Sequence, residues 1–288
     1  MNRAARFSLP AVPAVLLSIG SVQGGAAIAK GLFPLLGAAG TTSLRIGLSA
    51  LVLLVAVRPR LGRLRPAQWR AVVPYGLALG LMNFLFYCAL ARVPLGLAVP
   101  LEFVGPLGLA VAGSRRWADA GWAGLAAAGI ALIAPWHGRG PDPLGLALAL
   151  AAGGCWAGYI VLGRRTAAVL PGPQAVAIGM LFAALPVLPF GVASGSLRAL
   201  TPHLLGLGAL LALFSSVLPF SLEMRALRTL PTRTFSILMS LEPVAAALSG
   251  WWLLHERLLG SQWLAVGLIV AASAGATLTQ GRPRPAPG

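Results

Sequence analysis

Charged residues are scarce in this chain, and acidic residues are the scarcest. Only 10% of the 288 residues are charged and only 6 are Asp or Glu, whereas a soluble domain carries about 25% charged residues. Hydrophobic residues make up 58% of the sequence, and the mean hydropathy is +0.84. This composition excludes a separate soluble domain and predicts that most of the chain lies in lipid.

Cysteine and histidine are also rare. Cys88 and Cys155 lie in apolar stretches without a CxxC spacing, which excludes a disulfide framework and a zinc site. The three histidines, His137, His203 and His255, fall in predicted loops and form no HExxH motif. The apolar stretches also contain no Ser–His pair and no paired Asp residues. We therefore expect no intramembrane enzyme activity, no metal site and no cofactor.

The apolar residues form ten runs, most of them near the ~20 residues that span a bilayer. The predicted spans are 10–29, 38–57, 71–90, 95–113, 121–136, 144–163, 174–193, 204–222, 232–253 and 261–279. The N-terminus resembles a signal peptide, because Arg3 and Arg6 precede an apolar run. We interpret this run as a first, uncleaved span, since it continues to Ala29 and the later segments are also apolar.

The net charge of +16 is explained by the loops between these runs. With the N-terminus in the cytoplasm, sixteen Lys and Arg residues fall in cytoplasmic segments, five fall outside, and Arg45 lies within the second span. This bias predicts that both termini are cytoplasmic. Because the arginines occupy short loops rather than one face of a helix, we predict no nucleic-acid binding.

The two halves of the chain, 10–136 and 144–279, repeat one pattern. Ala89–Pro94 after the third span resembles Ala226–Pro231 after the eighth, and an acidic motif follows each. Five spans per half is an odd number, so the second half must enter the membrane in the opposite sense. The sequence therefore predicts an all-α membrane protein of two inverted five-helix repeats. This is the plan of many secondary transporters, which bind substrate at the midplane and expose it alternately to each side.

A single acidic residue lies within the fourth span and another within the ninth, in the sequences PLEFVGP and SLEPV. A carboxylate inside a membrane span costs about 3 kcal/mol or more, so Glu102 and Glu242 indicate a pathway or a binding site. Pro106 and Pro243 cannot donate to the carbonyls four residues earlier, which must then face protein, water or ligand. We predict that both glutamates bind substrate or a proton. The alternative is that each only hydrogen-bonds a neighbouring helix.

Arg45 is the only basic residue in the interior of a predicted span, because Arg233 lies at the very start of the ninth. It forms either a structural ion pair or a contact with a substrate carboxylate. Polar and amphipathic side chains in the inner spans are further candidates for substrate contact, although each could instead serve helix packing. They are Gln23, Asn83, Tyr87, Trp156, Tyr159, Ser215, Ser216 and Ser240.

Glycines recur at four-residue spacing in two of the spans. The pairs are Gly76 with Gly80 and Gly154 with Gly158. Small residues at this spacing let two helices approach closely. We therefore predict a tight helix crossing at each pair.

Several longer strings carry a family resemblance that covers nearly the whole chain. They are Ser21–Lys30, Leu32–Leu35, Asn83–Tyr87, Val93–Gly96, Leu101–Phe103, Gly105–Leu107, Gly154–Ala157 and Pro219–Gly250. On these strings the chain resembles the drug/metabolite transporter superfamily, in its EamA-type ten-span branch. Within that branch it is most similar to the bacterial inner-membrane threonine and homoserine exporters.

The resemblance implies a central cavity surrounded by the first four spans of each half, with the fifth and tenth spans at the periphery. It also implies export of small amino acids such as threonine and homoserine from the bacterial inner membrane, driven by proton entry. The expected partners are thus an amino acid, protons and the lipid bilayer. The alternative keeps the fold and changes the substrate to another metabolite or a cationic drug-like compound.

Overall fold

A computed structural model describes residues 10–112, 117–133, 140–219, 222, 226 and 238–279. The secondary structure in this part of the chain is helical. Its α-helices are α1 (Ala11–Val57), α2 (Pro66–Leu90), α3 (Leu95–Ala112), α4 (Trp117–Ile133), α5 (Pro143–Ala167), α6 (Gly172–Ala193), α7 (Pro202–Ala212), α8 (Glu242–Leu253) and α9 (Gly260–Thr279). Short 3₁₀ turns lie at Leu61–Arg63 and Ser196–Ala199, and a π-helical turn at Leu213–Val217 follows α7.

Five of these helices are long and apolar enough to cross a membrane. They are Ala11–Val57, Pro66–Leu90, Pro143–Ala167, Gly172–Ala193 and Gly260–Leu278. Shorter apolar helices lie at Leu95–Leu109, Ala120–Leu132 and Pro202–Val217. Many large apolar side chains face outward, including Trp252 at 73% exposure, and lipid is the solvent that suits them. The chain is therefore a multi-pass membrane protein.

The connection predicted between the first two spans does not exist as a loop. α1 continues past Lys30, and its only non-helical residue is Gly37, with φ 64° and ψ 173°. This backbone conformation is almost restricted to glycine, because a Cβ would clash there. The prediction that the first span ends at residue 29 was wrong, because the helix continues to a kink at Gly37. A charged side chain marked the boundary in the sequence, but a glycine makes the kink.

Helices from before residue 140 pack against helices from after it. α2 packs against α5 and α6, α1 packs against α6 and α7, and α3 packs against α5, α8 and α9. α4 packs mainly against α9. The core thus lies between the two parts of the chain, with α4 and α9 paired at one side.

Glycines allow two of these crossings to be tight, but only one predicted pair takes part. A Cβ on Gly76 would meet Phe182 Cβ at 2.5 Å, and one on Gly80 would meet Ala183 Cα at 2.9 Å, so this pair lies at the α2–α6 crossing. Gly154 and Gly158 have no atom within 4 Å of such a Cβ, so the second prediction was wrong. The neighbouring Gly153 makes the close contact instead.

Candidate functional site

A cavity of about 170 Å³ lies in the centre of the helices. Ten of the predicted candidates line it, namely Gln23, Arg45, Asn83, Tyr87, Glu102, Trp156, Tyr159, Ser215, Ser216 and Glu242. The lining residues come from α1, α2, α3, α5, α6, α8, the π-helical turn and residues 219 and 239, with none from α4 or α9 among the described residues. This is the arrangement that the family resemblance implies.

Ser240 is the one predicted candidate that does not line the cavity. It is buried, and its Oγ lies 3.5 Å from Ser273 Oγ on α9. The sequence placed Ser240 beside Glu242, but side chains two positions apart near a helix terminus point in different directions. Ser240 faces the α9 side of the bundle and Glu242 faces the cavity.

Glu102 and Glu242 approach the same cavity from α3 and α8. Both are buried, with 8% and 9% exposure. They lie close enough for their charges to interact. Like charges in a low-dielectric chamber repel strongly, so the pair favours the presence of a proton or a cationic group.

Glu102 is fixed in place by a glycine contact behind it. Its backbone carbonyl, which Pro106 leaves without an intrahelical donor, abuts Gly153 on α5, where a Cβ would clash with it. Gly105 also packs directly against the Gly153 backbone. The freed carbonyl therefore faces protein, and the α3–α5 crossing holds the Glu102 side chain on the cavity side.

Glu242 begins a helix instead of lying in the middle of one. The prediction was a span over 232–253, but residues 232–237 lie outside the described residues and α8 starts at Glu242, after a turn at Ser240 and Leu241. The unpaired N–H groups at a helix N-terminus stabilise a nearby carboxylate. Gln23 on α1 adds a donor, with its Nε2 3.4 Å from Glu242 Oε1.

Arg45 supplies the positive charge of the cavity. It is 7% exposed, it donates to Asn83 Oδ1, and its guanidinium carbon lies 4.8 Å from the Tyr87 ring centroid. Asn83 is itself held by its Nδ2, which donates to the Leu79 carbonyl over 2.8 Å. In the described part of the chain Arg45 forms no ion pair, and its Nε has no hydrogen-bond partner. Its remaining donors can therefore hold a planar anion such as a carboxylate.

Aromatic contacts make one wall of the cavity rigid. Trp156 packs edge-on against Phe103, with ring centroids 4.8 Å apart. Tyr159 stacks on Tyr75 at 5.0 Å, and their hydroxyls lie 3.3 Å apart. Because each ring is held by a neighbour, these two predicted residues shape the cavity as well as facing it.

An ion pair that no sequence pattern predicted joins the two parts of the chain. Lys30 Nζ on α1 lies 2.5 Å from Glu256 Oε1, in the segment between α8 and α9. Lys30 also donates to the Val93 carbonyl at 3.2 Å, and the Leu95 N–H donates to Glu256 Oε2 at 2.8 Å. Lys30 and Glu256 are 226 residues apart in the sequence, so no local pattern predicts that they meet.

This contact lies at one end of the cavity. Lys30 is seven residues beyond Gln23 on α1, and Leu95 is seven residues before Glu102 on α3. At 1.5 Å per residue, each lies about 10 Å along its helix from the cavity residue. Tight packing adds to the closure, because a Cβ on Gly96 would lie 2.9 Å from both Ala247 Cα and Leu258 Cδ1.

The curated relatives of the chain decide its family. The threonine/homoserine exporter RhtA of Escherichia coli (strain K12) is 47% identical over 268 residues, which is 92% of this chain and 90% of that protein. The protein of the same name from Salmonella typhimurium (strain LT2) matches with the same identity and coverage. The model of the EamA-like transporter family matches residues 143–278. The chain belongs to the EamA-like transporter family.

A solved crystal structure extends this comparison to the fold. The match covers 92% of this protein and 98% of the chain in the crystal structure, with 20% sequence identity and a TM-score of 0.55. The helical arrangement is thus shared by a protein of distant sequence. Membership of a transporter family also fits a cavity that is enclosed by most of the helices.

Proposed function

We propose that the protein exports small amino acids such as threonine and homoserine across the bacterial inner membrane. The relatives that carry this name are similar over nearly their whole length. The observation that carries the proposal for this chain is that one cavity contains Arg45, Glu102 and Glu242. A guanidinium and two carboxylates match the carboxylate and ammonium groups of a zwitterionic amino acid.

The size and charge of the cavity favour this substrate over the alternative of a cationic drug-like compound. Its volume of about 170 Å³ is below the roughly 300–1,000 Å³ of pockets for drug-sized ligands. Arg45 would repel a purely cationic solute, whereas a zwitterion uses both signs of charge.

The proposed mechanism is alternating access between two inverted five-helix repeats, residues 10–136 and 144–279, with ten spans and both termini in the cytoplasm. In this scheme the Lys30–Glu256 end of the cavity faces the periplasm and is closed in the present conformation. Opening that end requires the two repeats to separate there. The ion pair and the Leu95 contact must then break.

We assign different roles to the two glutamates. Glu242, at a helix N-terminus and beside the Gln23 amide, holds the substrate ammonium group. Glu102 accepts no hydrogen bond from a described residue, and it carries the proton. Entry of a proton to Glu102 from the periplasm then accompanies exit of the amino acid.

The test is threonine transport by purified protein in liposomes, measured both as uptake driven by an imposed proton gradient and as exchange without a gradient. Glu102→Gln, which resembles a permanently protonated carboxyl, should lose gradient-driven transport and retain exchange. Glu242→Gln should lose both, because the ammonium site is gone. Asp142→Asn is the matched control, since this exposed carboxylate lies outside the cavity, and it should transport as the parent does.

Two outcomes would contradict the proposal. Unchanged gradient-driven transport in both glutamine variants would remove the carboxylates from the mechanism. Transport of a lipophilic cation but not of threonine by the parent protein would favour the alternative substrate class.

A further inference from the structure

Besides Arg45 Nε, three buried polar atoms of residues that line the cavity have no hydrogen-bond partner among the described residues. They are Gln23 Oε1, Tyr87 Oη and Ser215 Oγ, on side chains that are only 1%, 2% and 7% exposed. All three residues line the cavity. Buried polar groups in native proteins are normally paired, so three such atoms facing one chamber point to a polar ligand group that pairs with them.

Ser215 is held in this place by the π-helical turn at Leu213–Val217. Ser21 on α1 donates to the Phe214 carbonyl at 2.6 Å, and Gly25 leaves the space that Ser215 Oγ occupies, since a Cβ there would clash. Single π-turns inside α-helices are frequent at functional sites, because they turn side chains away from the regular helical register. Here the turn brings the serine hydroxyl against α1.

Tyr87 is held beside Ser215 by contacts of its ring. The ring packs edge-on against Phe33 at 5.8 Å and Phe86 at 6.3 Å, and the Arg45 guanidinium lies over its face. Ser215 and Arg45 are its polar neighbours. The hydroxyl therefore has a fixed position beside the group that we assign to the substrate carboxylate.

We propose that Tyr87, Ser215 and Gln23 form a subsite for the side-chain hydroxyl of the substrate, which rests on the proposed export of small amino acids. Gln23 Oε1 only accepts hydrogen bonds, whereas the two hydroxyls both donate and accept. A ligand hydroxyl can donate to Gln23 and accept from Tyr87 or Ser215. An apolar side chain of the same shape leaves Gln23 Oε1 without a donor and leaves the two hydroxyls only their protein neighbours, and a site built for a hydroxyl rejects such an analogue strongly.

The experiment compares isosteric pairs in the purified protein. Binding of threonine against valine, and of homoserine against norvaline, is measured by competition with labelled threonine. The parent protein should prefer each hydroxylated member by about tenfold or more, the effect of one or two net hydrogen bonds. Tyr87→Phe and Ser215→Ala should each weaken threonine binding about tenfold and leave valine binding unchanged or stronger, so the preference falls.

Ser49→Ala is the matched control. Ser49 Oγ is another buried atom without a partner among the described residues, but Ser49 does not line the cavity. Its removal should leave the threonine-to-valine ratio as it was. If Tyr87 or Ser215 had a merely structural role, its substitution would weaken threonine and valine binding together, and the threonine-to-valine ratio would stay unchanged.

The outcomes separate this subsite from the export function. Equal binding of threonine and valine by the parent protein overturns the subsite and leaves amino-acid export standing, even if a variant fails to fold. Failure of the parent to bind any of the four amino acids overturns both. A preference that is lost in Tyr87→Phe or Ser215→Ala and kept in Ser49→Ala supports the subsite.

Discussion

Breaking the Lys30–Glu256 ion pair should open one end of the cavity. Lys30→Met keeps the length and apolar stem of the side chain and removes the ammonium group. Glu256 then loses its 2.5 Å partner and keeps only the Leu95 N–H. In a closed conformation this leaves a mostly buried carboxylate without its counter-charge.

The expected magnitude follows from the burial of the pair. The Lys30 and Glu256 side chains are 22% and 11% exposed, so solvent screens their interaction only in part. A hydrogen bond to a charged group contributes about 1.5–3 kcal/mol. Taking about 2 kcal/mol, the ratio of open to closed molecules at this end should rise about 30-fold.

The assay is thiol labelling of a cavity residue in membrane vesicles of both orientations. Ala26→Cys places the reporter in the lining, in a background with Cys88→Ala and Cys155→Ala. A membrane-impermeant reagent should label the Lys30→Met variant about 30-fold faster from the outer side. Arg92→Met is the matched control, because its ion pair with Asp142 is exposed and exposed pairs contribute little.

Equal labelling rates for Lys30→Met and its parent would refute this reasoning. A second comparison distinguishes a simple ion pair from the observed contact. Exchange of the charges, by Lys30→Glu with Glu256→Lys, should not restore slow labelling, because an ammonium group at position 256 cannot accept the Leu95 N–H. Full restoration would show that this backbone contact has no part in the closure.

Two further predictions concern α5: the glycine packing in its middle and the Arg92–Asp142 ion pair at its start. Gly153→Ala should lower the free energy of unfolding by about 1–3 kcal/mol through overpacking, since its Cβ would clash with the Glu102 carbonyl. Gly154→Ala has open space around its Cβ and should leave the stability unchanged. Thermal unfolding in detergent measures both variants. The hydrogen bond from Arg92 lowers the pKa of Asp142 below its ordinary 3.8. The charged Asp142 carboxylate therefore stabilises the folded state at neutral pH. This stabilisation is lost as the pH falls through the lowered pKa. Because the pair is exposed, Asp142→Asn should lower the unfolding temperature only slightly at pH 7, and the difference should disappear as the pH falls through the lowered pKa. A difference that persists in acid would contradict this.

Much of the candidate site could be predicted because lipid leaves few places for polar groups. A carboxylate, a guanidinium or an amide in an apolar helix must face the interior of the bundle, and Glu102, Arg45 and Gln23 do so. Ser240 shows the limit of that argument. Facing the interior still allows a contact with a neighbouring helix, and the sequence does not distinguish the two.

The rotation of each helix about its axis decided which of two neighbouring glycines lies in a helix contact, and sequence periodicity alone does not give that rotation. Gly153 and Gly154 are neighbours, and one position turns a side chain by about 100° around the axis. Gly153 consequently lies in the α3–α5 crossing and Gly154 faces open space. The kink at Gly37 could not be placed from the sequence for a related reason, since any of the glycines near it could have held the positive φ.

The sequence by itself determined that this protein lies in a lipid bilayer and that the polar side chains of its spans face the interior of the helix bundle, because transfer free energies act on each residue separately. It also identified the two acidic motifs as candidate functional positions, because a carboxylate in a membrane span carries a large free-energy cost. Only the tertiary structure decided which residues meet. The Lys30–Glu256 contact and the Tyr87–Ser215 neighbourhood depend on how whole helices rotate and cross, and that is settled by packing between segments far apart in the chain.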